Sequence, residues 1–288
     1  MPIDLHIHTS CSDGSFSPKK VVDEAKKKGL KAIAITDHDT IDGIDEALSA
    51  GKGLDVEVVP GVEITCDEEN FEDVHVIGLF IDHKNEKLNE LLAKAKESRL
   101  NQKKAIIRKL NELGFNISLK DISKVAKGEI SRSHIAAVLL EKYPDKFESK
   151  QQIFDGYLDV NKKAYVQREV KISLKSAIDG ITEAGGIAVL AHPGVYNYLD
   201  IEKLIKRFKA LGGQAIETEY TYDKNRPYKG ISKNKLKEII DKFKKTAKEL
   251  DLLETGGSDY HGDKKDIELG ELEINEDMLI KLKELKSK

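Results

Sequence analysis

The chain of 288 residues is 39% hydrophobic and 34% charged, and its 48 basic and 51 acidic side chains leave a net charge of −3. That near balance excludes a protein that coats nucleic acid through a broad basic excess, and stable duplex DNA binding is not expected. No apolar run reaches the length of a membrane span, the N-terminal stretch does not read as a signal peptide, and two cysteines, Cys11 and Cys66, are too few for a disulfide framework, so a reduced cytoplasmic setting is expected.

In chain order, "MPIDLHIHT" alternates Ile3, Leu5 and Ile7 with Asp4, His6 and His8. Period two predicts a strand with His6 and His8 on one face. "KKVVDEAKKKGL" reads as a helix, with Ser17 as N-cap, Pro18 in the first turn and Gly29 ending it. "KAIAITDHDT", "DVEVVPGVEIT" and "DVHVIGLFID" follow as strands, and later "GIAVLAHPG", "GQAIETEYT" and "LLETGGSDYHG", with helical segments between most of them. Repeated β-α units of this kind argue for an α/β parallel sheet or barrel.

The middle differs. Residues 87–163 carry lysine-rich helical patterns with no strand run, among them "KLNELLAKAKESRLNQKKAIIRKLNELG" and "SRSHIAAVLLEKY". The expected organisation is a discontinuous α/β body, 1–86 with 164–288, and a helical insertion over 87–163.

The polar residues gather at the strand ends. His6 and His8 close the first strand, "TDHDT" the second with Asp37, His38 and Asp39, and Glu63 the third. His75 lies in the fourth, His192 ends a later one, and Asp259 and His261 end the last. Six of the eight histidines lie at or near such ends. Each alone reads equally as a cap, a turn or a solvated loop. Together they mark one rim, because the functional face of parallel α/β folds is the carboxyl end of the strands. Imidazole and carboxylate without thiolate suits Zn, Mn or Fe. The donors are too many for one ion, and two or three ions sharing carboxylates suit phosphate ester hydrolysis.

The ordered set "DLHIHTSCSDG", "ITDHDT", "PGVEIT", "HVIGLF", "AHPG" and "SDYHG" resembles the polymerase and histidinol phosphatase (PHP) superfamily of phosphoesterases over almost the whole chain. Within it, the chain is most similar to the branch of nucleoside 3',5'-bisphosphate phosphatases and 5'-to-3' exoribonucleases. The resemblance implies a distorted seven-stranded (β/α) barrel with a trinuclear metal centre. It implies that His6, His8, Glu63 and Asp259 hold one ion, that Glu63 bridges to a second held by His75 and His192, and that Asp13, His38 and His261 hold a third. A metal-bridging hydroxide would then be the nucleophile. In the helical insertion, "SRSHIA" resembles a phosphate-binding pattern, which would make Arg132 and His134 substrate-binding residues; Ser133 stands where the pattern has proline.

The expected activity is therefore metal-dependent hydrolysis of a small nucleotide's phosphate ester, such as the 3'-phosphate of a nucleoside 3',5'-bisphosphate, or of short 5'-phosphorylated RNA. The alternatives are a histidinol-phosphate phosphatase and, from another class, a non-catalytic metal-binding module of a nucleic-acid-processing assembly. His83 reads as a surface residue and both cysteines as packing thiols. In "ETEYTYDKNRPYKGIS", Glu217, Tyr220, Arg226 and Tyr228 read either as the lining of the substrate entrance or as part of a mobile loop.

Overall fold

The computed structural model describes residues 2–126, 130–196 and 200–287. Strand β1 (Pro2–Ile7) leads into α1 (Pro18–Lys27), β2 (Ala32–Ile35), α2 (Ile44–Leu54) and a hairpin of β3 (Glu57–Glu68) and β4 (Phe71–Leu79). Helices α3 (Glu86–Glu112), α4 (Leu119–Val125), α5 (Arg132–Lys142) and α6 (Lys150–Ile153) follow. The chain continues through α7 (Leu174–Glu183), β5 (Ile187–Leu190), α8 (Ile201–Ala210), β6 (Ala215–Tyr220), α9 (Lys233–Glu249), β7 (Leu253–Gly257), β8 (Ile274–Asn275) and α10 (Asp277–Lys286). No helix among the described residues is long and apolar enough to cross a membrane.

Local chemistry explains the boundaries. The Ser17 hydroxyl accepts the Lys20 N–H at 3.3 Å, Pro18 opens α1, and Gly29 leaves it with φ at 71°. These are the cap, first-turn and exit residues that a helix requires.

The eight strands form one sheet in the order β7-β6-β5-β4-β3-β2-β1-β8. Beyond β7 the chain meets the C-terminal part of β1 on the side away from β2: the Asp259 N–H donates to the His6 carbonyl and the His8 N–H to the Tyr260 carbonyl, both at 2.9 Å. That contact closes β1 to β7 into a distorted α/β barrel. Gly257 permits the approach, since a Cβ there would stand 2.3 Å from that of His6. The eighth strand, beyond the expected seven, is the two-residue β8, antiparallel to Pro2 and Ile3.

Two details depart from simple patterning. Strand β4 runs antiparallel to both β3 and β5, whereas the other wall pairs are parallel. Because β4 enters from the opposite direction, His75 reaches the rim from the middle of its strand. Strand β1 does not alternate strictly either. Its register against β2 slips between Asp4 and Ile7. Ile3 and Leu5 therefore join the core shared with Ala32, Val59, Ile77 and Val189, while Ile7 packs outside with Val21 and Val22 of α1. A bulge re-aims the residues after it.

Two compact units emerge, 1–92 with 172–288, and 93–171. The first is the barrel. The second is built on Ile106, Leu110, Ile122, Ile135 and Leu139, all fully buried. Its return segment is fastened to α3, where the Gln102 side-chain amide donates to the Val166 carbonyl at 2.7 Å and the Ser98 hydroxyl to that of Val170 at 2.8 Å. Ser118 and Ser131 cap α4 and α5 through reciprocal side-chain and backbone bonds.

Candidate metal centre

The bulge in β1 delivers His6 and His8 to the barrel rim, both completely buried. Their Nε2 atoms stand 3.1 Å apart. Two imidazole lone pairs aimed at one cation about 2.1 Å from each produce such a spacing. Oδ1 of Asp259 lies 3.1 Å from His8 Nε2 and 3.6 Å from His6 Nε2.

Glu63 stands at the centre. Its Oε1 lies 2.9 Å from His75 Nδ1 and 3.1 Å from His192 Nε2. Its Oε2 lies 3.0 Å from His38 Nδ1, 3.2 Å from His8 Nε2 and 3.5 Å from His6 Nε2. The backbone fixes it, since the Glu63 N–H donates to the Asp37 carbonyl at 3.1 Å and the Asp39 N–H returns to the Glu63 carbonyl at 2.8 Å. On the other side, Asp13 Oδ1 is 3.3 Å from His261 Nε2 and 3.8 Å from His8 Nδ1.

Four overlapping donor groups result: His6, His8 and Asp259; His6, Glu63 and His192; His38, Glu63 and His75; and His8, Asp13, His38 and His261. All nine residues that the sequence nominated come together here. His6, His8, His38 and Glu63 each enter two groups.

The donors fit metal ions by a second criterion. His8 Nδ1, His38 Nδ1, His192 Nδ1 and Glu63 Oε2 are buried and make no hydrogen bond among the described residues. Burying such groups unsatisfied costs about 1–3 kcal/mol each, and cations would satisfy those that face the cluster. Without cations the imidazoles answer to the carboxylates. Burial disfavours charge on His8, but Asp259 and Glu63 outweigh it and push the ring up to about 9. His6 is likewise raised against its burial by Glu217 and Glu63. His75 is lowered by burial, and His261 by burial and the neighbouring His8. Burial works against charge on Glu63 and Asp259 as well, yet the imidazoles around Glu63, and Lys265 with His261 beside Asp259, hold both carboxyls well below the usual range.

The backbone is strained where the rim is built. Asp39, His192 and Asp259 have φ of 49°, 29° and 58°. Left-handed conformations in residues other than glycine cost of order 1–3 kcal/mol and persist where the surroundings over-determine them.

The remaining nominated residues fall as follows. Arg132 opens α5, with its guanidinium 3.4 Å from the Leu158 carbonyl. His134 Nδ1 accepts the Ser131 N–H at 3.1 Å, which completes the helix cap around Ser133. His83 pairs with Asp45 at 2.8 Å, and Cys11 and Cys66 are free thiols. Glu217 and Tyr220 line no entrance, because both are buried. Glu217 lies behind His6, and the Tyr220 hydroxyl donates to Asp259 Oδ2 at 2.8 Å.

Sequence reasoning missed the duties of three residues. Asp37 gathers the loop after β1 through Thr9 and Ser12, Glu217 supports His6, and Lys265 reaches Asp259 Oδ2 at 2.6 Å. The only signal for Asp37 was its place beside His38. Glu217 lay among other acids and Lys265 in an ordinary charged loop.

A distorted α/β barrel whose rim crowds imidazoles around shared carboxylates is the frame of a metal-assisted hydrolase. Residues 4–171 match the PHP domain model, and the chain belongs to the PHP domain family. It is 36% identical to the 5'-3' exoribonuclease of Haemophilus influenzae, over 93% of this chain and 92% of that one. It is 32% identical to the 3',5'-nucleoside bisphosphate phosphatase of Chromobacterium violaceum, over 90% and 87%. A solved structure from Bifidobacterium adolescentis, assigned by inference as a metal-dependent phosphoesterase, superposes with a TM-score of 0.81 at 29% identity, covering 98% of this chain and 96% of that one. The chain is thus a metal-dependent phosphoesterase.

Proposed function

We propose that the rim holds two or three divalent ions (Mn, Fe or Zn) on His6, His8, Asp13, His38, Glu63, His75, His192, Asp259 and His261, and that the substrate is the phosphate ester of a small nucleotide. The 3'-phosphate of a nucleoside 3',5'-bisphosphate and the end of a short 5'-phosphorylated RNA are the two forms. The single observation that carries the reading is Glu63, one buried carboxylate within 3.5 Å of five imidazoles. A carboxylate so surrounded would be shared between neighbouring cations.

When bound, such ions supply Lewis acidity and a water made nucleophilic at neutral pH. The chain's own residues do the rest. The rim would hold the cations with donors from several strands at once, so that the donor set is in place before substrate arrives. Lys265 adds a further positive charge beside Asp259. Arg132 and His134 bind a phosphate of the substrate. A planar guanidinium suits that task through paired charge-assisted bonds, and a helix N-terminus adds favourable dipoles.

The test is turnover by purified, Mn-loaded protein of adenosine 3',5'-bisphosphate, a 5'-phosphorylated RNA trimer and histidinol phosphate, each with a chelator control. Chelator-sensitive release of phosphate from the bisphosphate, or of mononucleotide from the trimer, is the expected result. Turnover of histidinol phosphate alone would reject the nucleotide reading. Metal binding with no turnover of any of the three would favour a non-catalytic role.

A further inference from the structure

We infer that Glu217 is a positioning residue of this centre: it fixes His6 with Nδ1 protonated, so that Nε2 is committed to a cation, and it holds the strained turn at His192. The inference rests on the metal-ligand reading above.

The geometry assigns Glu217 this place. Its Oε1 and Oε2 lie 3.0 and 3.3 Å from His6 Nδ1. The opposite nitrogen of the same ring, Nε2, faces His8, Glu63 and Asp259. Glu217 thus stands behind the ring and belongs to none of the four donor groups. A carboxylate there can only accept, so the bonded nitrogen must carry the proton. Oε2 also accepts the His192 N–H at 2.8 Å. One side chain therefore governs the ring of one candidate ligand and the backbone of another, itself left-handed at φ 29°.

The strand explains how Glu217 comes to be there. Opposite β7, Glu217 pairs with Thr255, Glu219 with Gly256 and Tyr220 with Gly257, and the register slips between Glu217 and Glu219. Unbroken alternation would send Glu217 and Glu219 to the same face. With the slip, Glu217 and Tyr220 face the centre, while Glu219 turns to Lys244 of α9 at 2.5 Å. Strand β6 supplies no nominated ligand, yet its bulge aims two side chains at the residues that do. Bulges near active sites serve this purpose, and a hydrogen-bonded carboxylate behind a metal-ligating histidine typically strengthens metal binding 10–100-fold.

The experiment compares Glu217→Gln with Glu219→Gln, the same substitution on the opposite face. Metal affinity is measured by competition with a chromogenic chelator, and the Co(II)-loaded forms are compared by visible absorption. Glu217→Gln is expected to weaken binding roughly 10–100-fold and to alter the Co(II) spectrum. Glu219→Gln should match wild type in both. Unchanged affinity and spectrum in Glu217→Gln would overturn the inference while leaving the centre itself intact. Wild type that takes up no metal would overturn both. A measurement on wild type covers the case in which the variant does not fold: ¹⁵N NMR of the Zn-loaded protein should show His6 protonated at Nδ1. The opposite tautomer would overturn the inference.

Discussion

Thr9 gives both of its protons to Asp37: the backbone N–H goes to Oδ1 and the hydroxyl to Oδ2, each at 2.7 Å. The Ser12 hydroxyl adds a third bond to Oδ1 at 2.5 Å. The buried carboxylate at the end of β2 thereby folds the loop after β1, and that loop carries Asp13 to His261.

Asp37→Ala should accordingly cost stability and metal together. The Thr9 N–H and the two hydroxyls would be left buried without their acceptor, at about 1–3 kcal/mol for the unsatisfied donors. Denaturant unfolding should show that loss, and elemental analysis should show fewer ions retained after dialysis. A destabilised variant with full metal content would separate Asp37 from the placement of Asp13.

Glu63→Gln tests the central donor. The amide keeps the shape but removes the charge that five imidazoles surround. Metal affinity should fall by more than the roughly 10–100-fold that follows the loss of a supporting hydrogen bond, and turnover should disappear. Wild-type metal content with normal rates would refute Glu63 as the shared ligand.

Protons and cations should compete at the rim. In chelated protein the His8 ring is pushed from 6.5 up to about 9 against its burial by Asp259 and Glu63. A raised imidazole contributes its ion-pair stability fully below 6.5 and loses it as pH rises toward about 9. The same protons must leave before the lone pairs can bind a cation. Apparent metal affinity should therefore climb between pH 6.5 and 9, with protons released on uptake. Calorimetry in two buffers of different ionisation enthalpy measures that release, and an uptake that releases none would contradict it.

Arg132→Ala should separate substrates. If the guanidinium binds the phosphate that is not cut, KM for a nucleoside 3',5'-bisphosphate should rise by an amount worth about 2–4 kcal/mol, with simple phosphate monoesters little changed. Steady-state kinetics on both substrates decides this; equal losses would remove the role.

How much of this was legible in the sequence follows from what sequence carries. The wall strands announced themselves as β-branched runs, and α1 was readable from Ser17 to Gly29 because caps are local chemistry. The six rim histidines stood out because only two others occur in the chain, Glu63 and Asp259 because they share the strand ends, and Asp13 through the family resemblance. The bulges in β1 and β6 were invisible, since register is a property of two strands and not of one. For that reason Ile7 was grouped with Ile3 and Leu5, and Glu217 was read as entrance lining or loop and not as the partner of His6. The reversed direction of β4 was hidden likewise, because "DVHVIGLFID" reads the same whichever way its neighbours run. Strand β8 has only two residues and no pattern to detect.

The closure of β1 against the chain after β7 also bears on biosynthesis. His6 leaves the ribosome long before Asp259 and His261 do, and the hydrogen bonds that join β1 to the segment after β7 need both. A nascent chain can bury much of its barrel wall early, yet the rim stays open on one side until translation has passed His261. The phosphoesterase would acquire its full donor set only once His261 has been added, and a product interrupted before Ser258 would lack both the final seam and part of the cation cradle.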